Sequence, residues 1–304
     1  MPFPLTYPGF KCVLEHLEVV KRVHIIARAP SLQKIDKLIP LRLRDYYIIC
    51  DEMTINNWRI RYSDNDEVKF EMNGKTFSRE GSAGLEDKMK NLVNFYFCGR
   101  RIIHVDKLCL FDGLLPDFLP VDMKFKVNSL TAPFLFDTAL PFIDPRSFPL
   151  KTLATIANAP ILDDPVVQSA ETLHLNLVYC RRFPVKDLKK LNNHTVVLEH
   201  CSSSRLDMVS LIKYHIETKQ DIRTTFVIST GKINVIREMF SDLELAFDEF
   251  QCDFECDFDV NERFLVGSSR YSIPYNNESR IQVYAIDVPE QRRYNIIVKP
   301  VSGL

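Results

Sequence analysis

Apolar residues recur at helical spacing three times before residue 40. Phe10, Val13, Leu14 and Leu17 fall at i, i+3, i+4 and i+7 and predict a first helix. Val19, Val23 and Ile26 repeat the spacing, and Leu32, Ile35, Leu38 and Ile39 repeat it again. Pro30 cannot continue the second helix, Ser31 suits the N-cap of the third, and Pro40 ends it. Three helices of about ten residues each bury too little surface to be stable alone. They are expected to lean on the rest of the chain or on a partner.

After Pro40 the period changes to that of strands. Residues 41–49 are rich in strand formers. Residues 53–62 predict a hairpin about Asn56 and Asn57. Residues 68–77 predict a second one, with Asn73 and Gly74 as the pair preferred in a tight type I′ turn. Trp58 is expected in the core. Residues 82–99 return to helical spacing, with a stripe of Leu85, Met89, Leu92, Val93, Tyr96 and Phe97 and with Gly99 placed to stop it.

Residues 100–230 carry a faint repeat. The short segments 105–110, 127–132, 150–155, 170–175 and 195–200 share a leucine, at 108, 130, 153, 173 and 198, spaced 22, 23, 20 and 25 residues apart. That is close to a leucine-rich repeat's period, although the asparagine that marks such repeats is missing. Units of this kind stack into a curved sheet whose concave face binds proteins. The alternative is one irregular α/β sheet without repeat ancestry. The proline-rich connections at 116–120 and 141–149 predict extended, rigid loops. Residues 203–217 predict a helix with Ser204 and Asp207 as a capping box, residues 224–230 a strand, and residues 233–250 another helix. Residues 280–287 and 294–299 predict a terminal hairpin closing the sheet's edge.

Composition narrows the function. Hydrophobic residues make up 46% and charged residues 26%, enough for a sizeable core. The formal net charge of −1 predicts no general attraction to nucleic acid or membrane. No signal peptide and no run of eighteen apolar residues is seen, so a cytoplasmic or nuclear chain is expected, with its eight cysteines as reduced thiols. The sequons at Asn193 and Asn277 then carry no glycan. The basic residues Lys21, Arg22, Arg28, Lys34, Lys37, Arg42 and Arg44, interleaved with acids, are read as solvating.

Candidate chemistry is sparse. Cys252 and Cys256 make the best metal pair, but no second pair lies nearby to complete a zinc site. Ten acidic residues between positions 238 and 262 read as a solvated face. His200 and Cys201, adjacent on a strand, point to opposite faces. A third functional class, a Cys/His-dependent enzyme, would need Cys201 or Cys256 to be an activated thiolate. Ser229 to Lys232 lacks the first glycine and the following Ser/Thr of a phosphate loop. No cofactor and no catalytic residue is expected.

Pro4 or Pro8, the Val13-Leu14 pair, Leu17 and the basic Lys21-Arg22 resemble an F-box in order and type. With Pro30, Ser31, Leu32, Ile35, Asp36, Ile39 and Pro40, the stretch is similar to the start of nematode F-box-C proteins, which carry a long C-terminal region of unknown function. The spacing between proline and the Val-Leu pair departs from the family pattern and predicts a shortened first helix. The resemblance implies a fold class of α/β: a small three-helix F-box-like module (1–40), then an irregular leucine-rich-repeat-like α/β domain (41–304) with a C-terminal β-hairpin. That domain would be β-rich over 41–80, repeat-like over 100–230 and end in the hairpin at 280–299. The implied function is the substrate receptor of a Skp–cullin–F-box ubiquitin ligase. Leu5, Val13, Leu14, Leu17, Val23 and Ile26 would meet the Skp-type adaptor, and the larger domain a protein substrate. The alternative is a stand-alone protein-interaction domain whose helices cap the fold.

Overall fold

The computed structural model describes residues 7–302 apart from 50, 63–66, 81–83, 98, 101, 112–118, 121, 135, 181–182, 189, 200–205, 219–222, 253–262 and 277–278. The chain forms two compact units, Met1–Phe148 and Pro149–Leu304. The architecture is mixed α/β, as expected.

The first unit opens with helices α1 (Tyr7–His16), α2 (Val19–Ala27) and α3 (Gln33–Leu38), the last entered through a 3-10 turn at Pro30–Leu32. Ser31 therefore lies inside that turn and is not the N-cap expected of it; Pro30, with its fixed φ, starts the turn instead. The cap that sequence reading missed is Glu18, whose carboxylate accepts the Lys21 amide at 3.0 Å. Two of the residues assigned to the helical stripes, Val13 and Leu38, are exposed, and Leu38 is 75% so. Seven strands follow: β1 (Leu41–Ile49), β2 (Glu52–Ile55), β3 (Trp58–Tyr62), β4 (Glu67–Met72), β5 (Lys75–Glu80), then α4 (Leu85–Phe97), β6 (Ile102–Leu110) and β7 (Lys124–Thr131). Their order is β7-β6-β1-β2-β3-β4-β5, with β7, β6 and β1 parallel and the rest antiparallel.

Both expected hairpins form. Asn56, Asn73 and Gly74 adopt the left-handed φ such turns require. α4 lays Phe97 against Tyr46 of β1, ring centroids 5.2 Å apart, and Trp58 is buried as expected. Phe70 and Phe77 stack at 5.0 Å, and the edge strand β5 is exposed along its length. The segment after β7 is not the extended run its prolines suggested. It holds α5 (Phe136–Ala139) and 3-10 turns at Leu140–Phe142 and Pro145–Ser147, because a proline at the first turn costs no hydrogen bond.

The three parallel strands share one irregularity. Leu43, Val105 and Val127 are in register and buried, and so are Tyr46, Leu108 and Leu130. Between them each strand turns two successive residues outward: Arg44 and Asp45, Asp106 and Lys107, Asn128 and Ser129. The step is held by Arg44 donating to Asp45 (2.6 Å) and by Asn128 donating to Asp106 (2.9 Å).

The second unit holds β8 (Thr152–Ile156), α6 (Ala159–Leu162), α7 (Pro165–Ser169), β9 (Thr172–Asn176), α8 (Val185–Leu188), β10 (Thr195–Glu199), α9 (Met208–Thr218), β11 (Thr225–Thr230), α10 (Ile233–Phe247), β12 (Tyr271–Pro274), β13 (Ser279–Val288) and β14 (Arg293–Ser302). Strands β8 to β11 stack in chain order and in parallel, and β14, β13 and β12 extend the sheet antiparallel. The terminal hairpin forms, but β12, not the hairpin, is the edge. Leu153 and Leu173 are in register, as the repeat implied. At β10 the residue in line is Val196, not Leu198, because Thr195 aligns with Thr172. The capping residue of α9 is Asp207 itself, which accepts the Ser210 amide at 2.9 Å; Ser204 lies outside the described residues. Asn193 is buried and donates to the carbonyls of Val167 (2.8 Å) and Ala170 (2.6 Å), so its side chain has no room for a glycan.

Candidate functional site

Two surfaces of the first unit carry the residues of interest. The first is the helical segment. Leu14, Ile26 and Ile39 form a small core, completed by Phe10, Leu32 and Ile35. Val23 is buried beside it and lines a cleft of about 210 Å³ with Gln33, Lys37, Phe95 and Arg100. Of the six residues expected to meet an adaptor, Leu14, Val23 and Ile26 thus face inward, Leu17 is half-buried, and Val13 is exposed. Leu5 lies outside the described residues. The apolar side chains α2 and α3 present outward are instead Ile25, 47% exposed, and Leu38.

Arg22 corrects the reading of a solvated basic cluster. It is 2% exposed, donates from Nε to Asp36 (2.6 Å), and reaches the carbonyls of Asp36, Ile39 and Pro40. Arg100, just after α4, contacts the other Asp36 oxygen and donates to the carbonyls of Asp36 (3.1 Å) and Ile39 (2.8 Å). Burial lowers the proton affinity of Arg100, and Asp36 opposes that. The two guanidinium groups satisfy carbonyls that the end of α3 leaves free.

The second surface is the outward face of β1, β6 and β7. Arg42, His104 and Lys126 lie side by side in register on the three strands. Arg42 and Lys126 are exposed and His104 is half-buried. Burial, then Lys126, Arg42 and Arg146, lower the His104 pKa, with Asp144 opposing. Arg146 is the third cation of the group. It is held by Asp144 through bonds of 3.0 and 2.7 Å, and those bonds keep the Asp144 carboxyl down at about 2. Arg42, Lys107 and Lys126 have no ion-pair partner among the described residues. Like charges directly opposite one another weaken a sheet. Sequence reading missed this row because its members become neighbours only through strand register.

In the second unit the half-buried face is more neutral. Thr152, Thr172, Thr195 and Thr225 form one row across four strands. Glu199 lies 3.4 Å from His174 and 3.2 Å from Arg293, and its carboxyl pKa is lowered, first by the His174 hydrogen bond.

Among the described residues no group of three His, Cys, Asp or Glu could hold a metal. Cys252 sits near the Arg270 carbonyl, while His200, Cys201 and Cys256 lie outside the described residues. Burial pushes the Cys109 thiol up to about 11, away from reactivity. No helix among the described residues is long and apolar enough to cross a membrane.

No match was found among curated proteins or among solved structures. Residues 84–232, from the approach to α4 to the end of β11, are similar to a protein family described as a domain of unknown function, DUF3557.

Proposed function

We propose that this chain is a nematode F-box-C protein, the substrate receptor of a Skp–cullin–F-box ubiquitin ligase, acting in the cytoplasm or nucleus without catalysis of its own. One observation supports this above the others. Three consecutive N-terminal helices share a core of their own yet leave Val13, Ile25 and Leu38 exposed. Exposed apolar side chains that form one patch are common material of a docking site. In this reading Val13, Leu17, Ile25 and Leu38, with Leu5, touch the adaptor, while Leu14, Val23 and Ile26 support them from beneath. The following sheet carries the substrate.

The test is a pull-down of the purified chain with a Skp adaptor, beside Val13→Asp and Leu38→Asp. Both positions are exposed, so circular dichroism is expected to stay unchanged while adaptor capture falls. A folded wild-type chain that captures no adaptor overturns the proposal. Leu14→Asp is unsuitable, because a buried charge would unfold the helices.

A second reading, a stand-alone interaction domain with the helices as its cap, is favoured by the Arg22–Asp36–Arg100 cluster. That cluster ties α2 and α3 to the segment leading into β6. The same pull-down separates the two.

A further inference from the structure

The outward face of β1, β6 and β7 carries unbalanced charge in a specific place. Nearby cations are matched, Arg59 and Arg61 on β3 by Glu52, Arg44 by Asp45 and Arg146 by Asp144, while Lys107, three residues beyond His104 on β6, is unmatched among the described residues, like the row itself. Arg42 and Lys126 have no such partner among the described residues, and His104 lies between them. Two strand spacings put their backbones about 9–10 Å apart. Alternate side chains of an extended peptide recur about every 7 Å, within reach of two long basic side chains. Asp45 and Asp106 flank the row on the same strands, so a continuous polyanion lying along the strands would meet carboxylates. The charge pattern suits a short anionic stretch.

We propose that Arg42, His104 and Lys126 form a recognition site for an extended protein segment bearing two acidic side chains in alternate positions. The cations take one carboxylate each, and the His104 imidazole between them supplies a further hydrogen bond. The inference rests on the receptor reading only in taking the ligand to be a protein segment. Adaptor capture and peptide binding use different residues, so either can fail without the other.

Fluorescence anisotropy tests it, using the full chain and a fluorescein-labelled peptide of four Glu-Thr repeats, its Gln-Thr counterpart and an eight-nucleotide oligo-dT. The wild type is expected to bind the Glu peptide about tenfold more tightly than the Gln peptide. The double variant Arg42→Ser/Lys126→Ser is expected to lose that preference, and Lys75→Ser, on β5, to keep it. Both row positions are exposed, and removing like charge leaves the melting temperature unchanged or raised. Should the double variant fail to fold, Arg42→Gln and Lys126→Gln singly replace it. Equal binding of the two peptides, no binding of either, an unaltered preference in the row variants, or tighter binding of oligo-dT each overturns the proposal.

Discussion

Asp36 holds together groups that would otherwise repel. Its carboxylate lies between two guanidinium groups that are almost wholly out of water, with side-chain exposures of 2% for Arg22 and 5% for Arg100. An isolated pair of buried arginines would be prohibitive, and the carboxylate together with the carbonyls at the end of α3 makes it tolerable. Asp36→Ala is therefore expected to cost about 3–5 kcal/mol, since it strands two charges at once. Urea denaturation measures it; a loss below about 1 kcal/mol would show the cluster to be open to water. None of this was visible in sequence. Arg22 sits beside Val23 on a strongly periodic helix, but its partners lie 14 residues further along and beyond α4. Local pattern shows that a residue is polar, not that a distant carboxylate awaits it.

At the level of elements the legible features were those with local causes. Asn73 and Gly74 take φ of 51° and 76°, and few residue types tolerate this, so the turn could be read directly. A Cβ at Gly74 would meet nothing within 4 Å, so the demand is purely one of backbone conformation. Gly74→Ala is accordingly expected to cost about 1 kcal/mol, seen as a lowered melting temperature with the fold retained. An unchanged melting temperature would mean the turn had relaxed to another type. Helix stripes were only partly legible. Val13 and Leu38 fit the helical period and still point outward, because a three-turn or shorter helix has too few neighbours to cover every apolar position. Of the evenly spaced leucines, Leu108 aligns with Leu130 and Leu153 with Leu173, while at β10 Val196, not Leu198, stands in line with Leu173.

At the scale of the whole molecule, each unit has its own buried sheet face. In the second, Leu153, Leu173, Val196 and Phe226 line up beneath half-buried threonines, and α10 buries Ile236, Met239 and Leu243. Residues 149–304 expressed alone are therefore expected to unfold in one cooperative transition followed by circular dichroism; a chain without such a transition would show that the unit needs residues 1–148. The paired outward residues of β1, β6 and β7 have a further consequence. Strand side chains alternate with a strict period of two, and here that period is interrupted at the same height in three neighbours. Deleting or adding one residue in any of these strands would carry Arg44, Lys107 or Asn128 into the apolar layer. Length changes tolerated over evolution must then fall in the crossovers, leaving these strands to vary by substitution alone.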